Sequence, residues 1–137
     1  MPTAEVLLVV ATAVHAGFQL VVTLLVYPAL ATVPDSSWAD AHTAHSRRIT
    51  PVVAVVYAGL VGASASAILG DPSPARTWSV ALSGVAVLVT AAVAAPAHRR
   101  LGLSRDPEVW RRLMAGDRLR CAAALASAAV AVAGALS

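Results

Sequence analysis

The stretch VLLVVATAVHAGFQLVVTLLVYPAL, residues 6–30, decides the fold of this chain. It contains no charged side chain. At a rise of 1.5 Å per residue, it is long enough for a helix to cross the roughly 30 Å hydrocarbon core of a bilayer. Three further apolar stretches follow, at residues 51–69, 78–95 and 119–136. The sequence therefore predicts four membrane spans.

The composition agrees with a chain that lies almost entirely in lipid. Of its 137 residues, 58% are hydrophobic and 12% are charged, whereas a soluble domain carries about 25% charged residues. Backbone polar groups in lipid must be satisfied within the protein, and no strand-like alternation is present. We predict one integral membrane domain over residues 1–137, an all-α four-helix transmembrane bundle.

The arginines are distributed asymmetrically. All but Arg76 flank or occupy the first and third connections between the spans, and the net charge is +3. The members of this arginine-rich set are Arg47, Arg48, Arg99, Arg100, Arg105, Arg111, Arg112, Arg118 and Arg120. The positive-inside rule predicts that both connections are cytoplasmic and that both termini lie outside. The basic charge is thus explained by topology, with the lipid bilayer as partner and no nucleic acid.

Two compositional features bear on origin and processing. Lysine and asparagine are absent, which is typical of a GC-rich genome and indicates a bacterial cytoplasmic membrane protein. Glu5 rather than positive charge precedes the first span, and the apolar run is longer than that of a signal peptide. We therefore expect this span to be retained.

The first connection has a helical pattern of its own. Residues 37–49 predict an amphipathic interfacial helix before the second span, with Trp38, His42, His45 and Ile49 on one face. Thr50-Pro51 is typical of a new helix start. A continuous, kinked helix through Pro51 is the alternative.

Small residues are concentrated in the second span. Glycine, alanine and serine fill most of residues 59–67, and Gly84 with the alanines of the later spans matches them. Such patches allow close helix approach in membranes, so we expect a tight bundle. A face left over from this packing would support a homodimer. The single cysteine, Cys121, is predicted to be an inert packing residue.

The richest set of polar side chains lies at the arginine-rich end. His42 and His45 are three residues apart, a spacing that can present two imidazoles to one metal ion, and His98 ends the third span at the same level. The predicted catalytic residues are His42, His45, His98, Asp117 and Tyr57. The predicted substrate-binding residues are Trp38, Arg48, Arg118 and Arg120. In the alternative interpretation, these residues satisfy helix ends and lipid head groups, and Asp117 pairs with an arginine.

A second polar group is predicted nearer the middle of the membrane. His15 and Gln19 share one helix face, and His15 lies about 22 Å from the arginine-rich surface. We therefore predict a separate mid-membrane site, with Ser64 and Ser83 at a similar depth. A hydrogen-bond network, ligation of haem or another metal by His15, and proton transfer or quinone binding remain open.

Several short motifs resemble the family of small four-helix membrane proteins that includes anthrone oxygenases. They are His15-Ala16-Gly17, Val26-Tyr27-Pro28-Ala29-Leu30, Pro96-Ala97-His98-Arg99-Arg100-Leu101, and Trp110 followed by Arg118 or Arg120. Where that family often has asparagine after the proline of the third span, this chain has His98.

The resemblance implies an enzyme that oxidises a hydrophobic aromatic substrate dissolved in the bilayer. Under it, His42, His45 and His98 would be metal ligands or general bases, and the arginines would hold an oxyanion. The cofactor stays open between a metal, haem and none. The rival prediction is a non-catalytic membrane subunit or small transporter-like protein.

Overall fold

The computed structural model describes residues 3–70 and 72–137, and it places them in four long helical segments with no strand among them. The first segment comprises α1 (Thr3–Val21), a π-helical turn (Val22–Val26) and α2 (Tyr27–Ala31). A short 3₁₀ turn (Asp35–Ser37) leads into the second segment, α3 (Trp38–Gly70). The third comprises α4 (Pro74–Val89), a second π turn (Thr90–Ala94) and α5 (Ala95–Leu101). The fourth is α6 (Pro107–Ala135).

All four segments are long and apolar enough to cross a membrane. They carry large apolar side chains on their outer faces, including Leu24, Val55, Leu69 and Leu88. Such faces suit lipid rather than water. The predicted all-α four-helix bundle is confirmed, and the chain is a multi-pass membrane protein.

Helix starts follow the local sequence. Asp106 accepts hydrogen bonds from the backbone N–H groups of Glu108 and Val109 at 2.8 and 3.3 Å, and Pro107 occupies the first turn. Ser73 caps α4 in the same way through the N–H of Arg76. These caps satisfy N–H groups that have no partner inside the helix. The sequence Asp71-Pro72-Ser73-Pro74 predicts a tight turn before α4, and Asp71 lies outside the described residues.

The predicted interfacial helix is not a separate element. Residues 38–70 form one α-helix that runs through Pro51, so the continuous alternative is the one observed. The Thr50 hydroxyl donates to the Ser46 carbonyl at 2.7 Å, one turn back. Trp38 and His42 are buried and Asp40 is exposed, as the predicted face requires.

Two π turns interrupt the first and third segments, each just before a proline. The Tyr27 N–H bonds to the Val22 carbonyl, and the Ala95 N–H bonds to the Thr90 carbonyl, both five residues back. Pro28 and Pro96 cannot donate to the preceding turn, and their rings crowd it. The wider turn relieves that crowding. The third segment therefore continues past Pro96 to Leu101 instead of ending at residue 95.

The small-residue patch of α3 packs tightly on one side only: Ala63 and Ala67 are buried, and Ala67 belongs to a core cluster with Leu8 and Ala131. A Cβ added at Gly59, Gly62 or Gly84 would meet nothing within 4 Å. A groove of about 540 Å³ separates α3 from α4 at this level, with Ser64 and Gly84 among the residues lining it. The expectation of close packing therefore holds for the face that carries Ala63 and Ala67 and fails for the face toward α4, and the homodimer stays a prediction.

Contacts between α4 and α6 are closer. The hydroxyl groups of Ser79 and Ser83 lie 3.0 and 2.9 Å from that of Ser127, and Ser127 also donates to the Ser79 carbonyl. These bonds satisfy three buried polar groups inside the bundle. Cys121 is buried and free, as predicted.

Gly134 provides a test of this packing. A Cβ at Gly134 would lie 2.5 Å from the Cβ of Ala75, whereas one at Gly17 would meet nothing within 4 Å. We expect Gly134→Ala to destabilise the protein by about 1–3 kcal/mol through overpacking. Gly17→Ala, the same change without a clash, should leave the melting temperature in detergent unchanged or raise it. Equal melting temperatures for the two variants would contradict the close contact between α4 and α6.

Candidate functional site

A cavity of about 520 Å³ opens at the arginine-rich end between the first, second and third segments. Its wall is mostly apolar, with Phe18, Val22 and Ile49 among the lining residues. Polar lining residues come from all four segments; they include Gln19, Tyr27, His42, His45, Thr90, His98 and Arg120. An apolar wall with a few convergent polar groups is typical of a small-molecule site, and the volume is in the usual range.

His98 is the centre of the histidine cluster. Its Nε2 lies 3.1 Å from the hydroxyl oxygen of Tyr27, and its Nδ1 lies 3.3 Å from Nε2 of His42. The ring of His45 contacts that of His98, with 5.7 Å between centroids. The predicted association of the three histidines is present. His98 uses both ring nitrogens in hydrogen bonds, whereas His45 makes none among the described residues.

Arg120 and Asp117 form a buried ion pair below the histidines. Arg120 is 6% exposed and Asp117 is 2% exposed, with 2.9 Å between Nη2 and Oδ1. Nη2 also donates to the Tyr27 hydroxyl at 3.3 Å, and Nη1 donates to Thr90 Oγ1 at 3.4 Å. The pair is thereby connected through Tyr27 to His98. The predicted pairing of Asp117 with an arginine is observed, and Asp117 is not among the residues that line the cavity.

The aromatic support of the cluster comes from Trp38. Its Nε1–H donates to the Leu101 carbonyl at 2.9 Å, and its ring packs against those of His42 and Trp110. Arg105 lies over the same indole, 4.6 Å from the ring centroid. Trp38 is not among the cavity-lining residues. It therefore orients His42 and joins α3 to α5, and it does not form the predicted substrate wall.

The arginines at the cavity differ from those predicted. Arg48 and Arg118 are exposed and do not line the cavity. Arg47 and Arg99 line it instead and are exposed, which places them at its mouth. Among the predicted substrate-binding arginines, only Arg120 reaches the cavity. The physical reason is that Arg120 lies inside the bundle, whereas Arg48 and Arg118 occupy outward faces of their helices.

The predicted separation of Gln19 from the histidine site is wrong. Gln19 lines the same cavity, and its Nε2–H donates to Asp117 Oδ1 at 3.2 Å. The apolar pattern starts the fourth span at residue 119, but α6 begins at Pro107, so Arg120 lies about 20 Å along that helix. The arginine-rich end of α6 therefore extends into the bundle and meets Gln19.

His15 remains outside the cavity lining. Its ring is fully buried and meets the ring of Tyr57 edge to face at 5.0 Å, and neither ring nitrogen has a hydrogen-bond partner among the described residues. Ser83 bonds to Ser127, while Ser64 Oγ has no partner within the same described ranges. The network predicted among His15, Gln19, Ser64 and Ser83 is therefore not formed. Haem or metal ligation by His15 stays a prediction.

Tyr57 contacts the cavity indirectly, through the lining residue Thr90. Its hydroxyl lies 2.8 Å from Thr90 Oγ1, and Thr90 receives Arg120 on the same oxygen. Tyr57 is not among the cavity-lining residues. Its geometry supports orientation of Thr90 and, through it, Arg120.

Metal ligation gains no support from this arrangement. No group of three or more histidine, cysteine or acidic side chains among residues 3–70 and 72–137 is arranged to hold a metal ion. The physical reason is that both nitrogens of His98 are engaged by Tyr27 and His42. The metal role of His42, His45 and His98 stays a prediction.

Two polar residues of the site are absent from the set predicted from the sequence. Tyr27 joins Arg120 to His98, and Thr90 joins Arg120 to Tyr57. Tyr27 immediately precedes Pro28, and Thr90 begins the π turn that ends two residues before Pro96. For Tyr27 the available signal was a polar side chain beside a proline in a membrane span, whereas for Thr90 it was only a polar side chain within an apolar span.

Comparisons of this chain with protein-family models, curated proteins and solved structures found no match.

Proposed function

We propose that the protein is a membrane enzyme that oxidises a hydrophobic aromatic molecule entering the cavity from the bilayer. The observation that carries the proposal is the convergence of His45, His98 and Arg120 on one largely apolar cavity. An apolar wall suits an aromatic ring system, an imidazole can accept a proton, and a guanidinium can stabilise an oxyanion.

His45 is the proposed general base. It lines the cavity and makes no hydrogen bond among the described residues, so its ring is available to a substrate. His98 and His42 are bonded to each other beside it. Their rings would position His45 by contact. The hydrogen-bonded pair would also provide a path for the accepted proton toward the surface.

Arg120 is the proposed oxyanion holder. A guanidinium has five N–H donors, and the described contacts of Arg120 go to Asp117, Tyr27 and Thr90. Its Nε is buried without a partner in residues 3–70 and 72–137. Donors therefore remain for a carbonyl oxygen that becomes negative when a neighbouring carbon loses a proton.

The proposed substrate is a ketone whose methylene carbon lies between aromatic rings, as in anthrones. His45 removes one methylene proton, and the resulting carbanion, delocalised onto the oxygen near Arg120, reduces O₂. The overall change converts the methylene to a carbonyl: one O₂ is consumed, one oxygen atom enters the product and the other leaves as water with the two methylene hydrogens.

Oxygen uptake by the purified protein in nanodiscs tests this proposal. Addition of an anthrone should cause O₂ consumption and formation of the quinone in equal amounts, above the rate in empty nanodiscs. Metal analysis and a visible spectrum of the same sample distinguish a metal, haem or cofactor-free enzyme. Absence of turnover with anthrones and related phenolic ketones would favour the non-catalytic subunit.

We also propose that the cavity opens toward the cytoplasm, which the arginine distribution supports. In a Cys121→Ala background, we expect Pro72→Cys to react with an impermeant maleimide on intact bacterial cells. Ser104→Cys, in the exposed connection before α6, should react only after the cells are opened. The reverse labelling pattern would invert the orientation.

A further inference from the structure

Gln19 has one half of its amide fixed and the other half unpaired. Its Nε2–H donates to Asp117 Oδ1 at 3.2 Å, while its Oε1 is buried with no hydrogen-bond partner in the part of the chain that the structure describes. The side chain is fully buried and borders the cavity. A buried acceptor without a partner is costly, so a ligand group that supplies a donor gains a corresponding advantage.

The orientation of this amide is determined by chemistry. Asp117 is paired with Arg120, and an ionised carboxylate only accepts hydrogen bonds. The NH₂ group of Gln19 must therefore face Asp117. A flipped amide would place two oxygens against each other, so the carbonyl is left for other partners.

We propose that Gln19 is a specificity-determining residue that selects ligands with a hydroxyl or N–H donor at the deep end of the cavity, and that Asp117 is its positioning residue. Arg120, bonded to the same carboxylate oxygen, supplies donors next to this acceptor. The preferred ligand therefore carries a hydrogen-bond donor beside an acceptor on an otherwise apolar ring system.

The inference rests on the proposed ligand cavity, but not on the oxygen chemistry. It is tested by binding of 2-naphthol and of its methyl ether, 2-methoxynaphthalene, to the protein in nanodiscs, corrected for partition into empty nanodiscs. The two probes share a ring system and differ in the hydroxyl donor. We expect the wild-type protein to prefer 2-naphthol by about tenfold.

Two variants separate the roles of the two residues. Gln19→Leu should abolish the preference while keeping affinity for the methyl ether, because the acceptor is lost and the wall becomes apolar. Asp117→Asn should also move the preference toward equality, because an asparagine can face either end of the Gln19 amide. Thr12→Val is the control, since Thr12 is buried in the same helix and its hydroxyl donates to backbone carbonyls of that helix. It should keep the wild-type preference.

The outcomes distinguish this inference from the proposed function. Equal binding of both probes to the wild-type protein would overturn the role of Gln19 and leave the oxidation proposal standing. Failure of both probes to bind would show that the cavity does not hold aromatic ligands, which would overturn both the role of Gln19 and the oxidation proposal. A tenfold preference that is lost in Gln19→Leu and kept in Thr12→Val supports the inference, even if no oxygen is consumed with any substrate.

Discussion

Replacement of His45 by alanine should lower the rate of substrate oxidation by about 10²- to 10⁴-fold, the usual contribution of a positioned general base. His45 lines the cavity and makes no hydrogen bond among the described residues. Its removal therefore leaves the bonds of His98 to Tyr27 and His42 intact. We expect the loss of activity to occur without a loss of stability, measured by oxygen uptake and thermal unfolding on the same preparation.

Two controls accompany the His45 variant. Asp40→Asn changes an exposed residue on the outer face of the same helix and should keep the wild-type rate. Added imidazole should restore part of the activity of His45→Ala, because the deleted ring leaves space at the cavity wall. A folded His45→Ala protein with wild-type turnover would remove His45 from the mechanism.

Replacement of Arg120 by methionine should destabilise the protein by about 3–5 kcal/mol, because it leaves the Asp117 carboxylate buried without its counter-charge. The pair is almost fully buried, so water cannot replace the missing partner. The effect should appear as a lower midpoint of unfolding in mixed detergent micelles. Arg118→Met, an exposed neighbour, should stay within about 0.5 kcal/mol of the wild-type protein.

The double variant Asp117→Leu/Arg120→Met tests whether the two charges depend on each other. Removing both leaves no uncompensated charge, so the double variant should be more stable than Arg120→Met alone. The single variant Asp117→Leu completes the comparison. If the loss of stability in the double variant equalled the sum of the losses in Asp117→Leu and Arg120→Met, the two charges would not be coupled.

The helices could be predicted because their signals are local. Apolar length determines a span, and Asp106-Pro107 determines the start of α6, which is observed there. The path of α3 through Pro51 could not be predicted in the same way, because Thr50-Pro51 is compatible with either a new helix or a continuous one. Tertiary packing, and not the local pattern, determines which is formed.

The site could be predicted in part. The convergence of His42 and His98 follows from their common level at the ends of two spans. The contact of Gln19 with Asp117 does not, because it depends on how far α6 is displaced along the bundle axis. Helix displacement of this kind depends on interhelical contacts such as those of Ser127, which a single sequence does not reveal.

The paired π turns have a consequence for insertions and deletions. A π turn is equivalent to one extra residue in an α-helix, and one residue corresponds to about 100° of rotation at 3.6 residues per turn. The extra residue rotates Tyr27 in the first segment and His98 in the third relative to the helices that precede them. Deleting a single residue from either turn would leave an uninterrupted span of nearly the same length, yet point one partner of the Tyr27–His98 bond toward lipid.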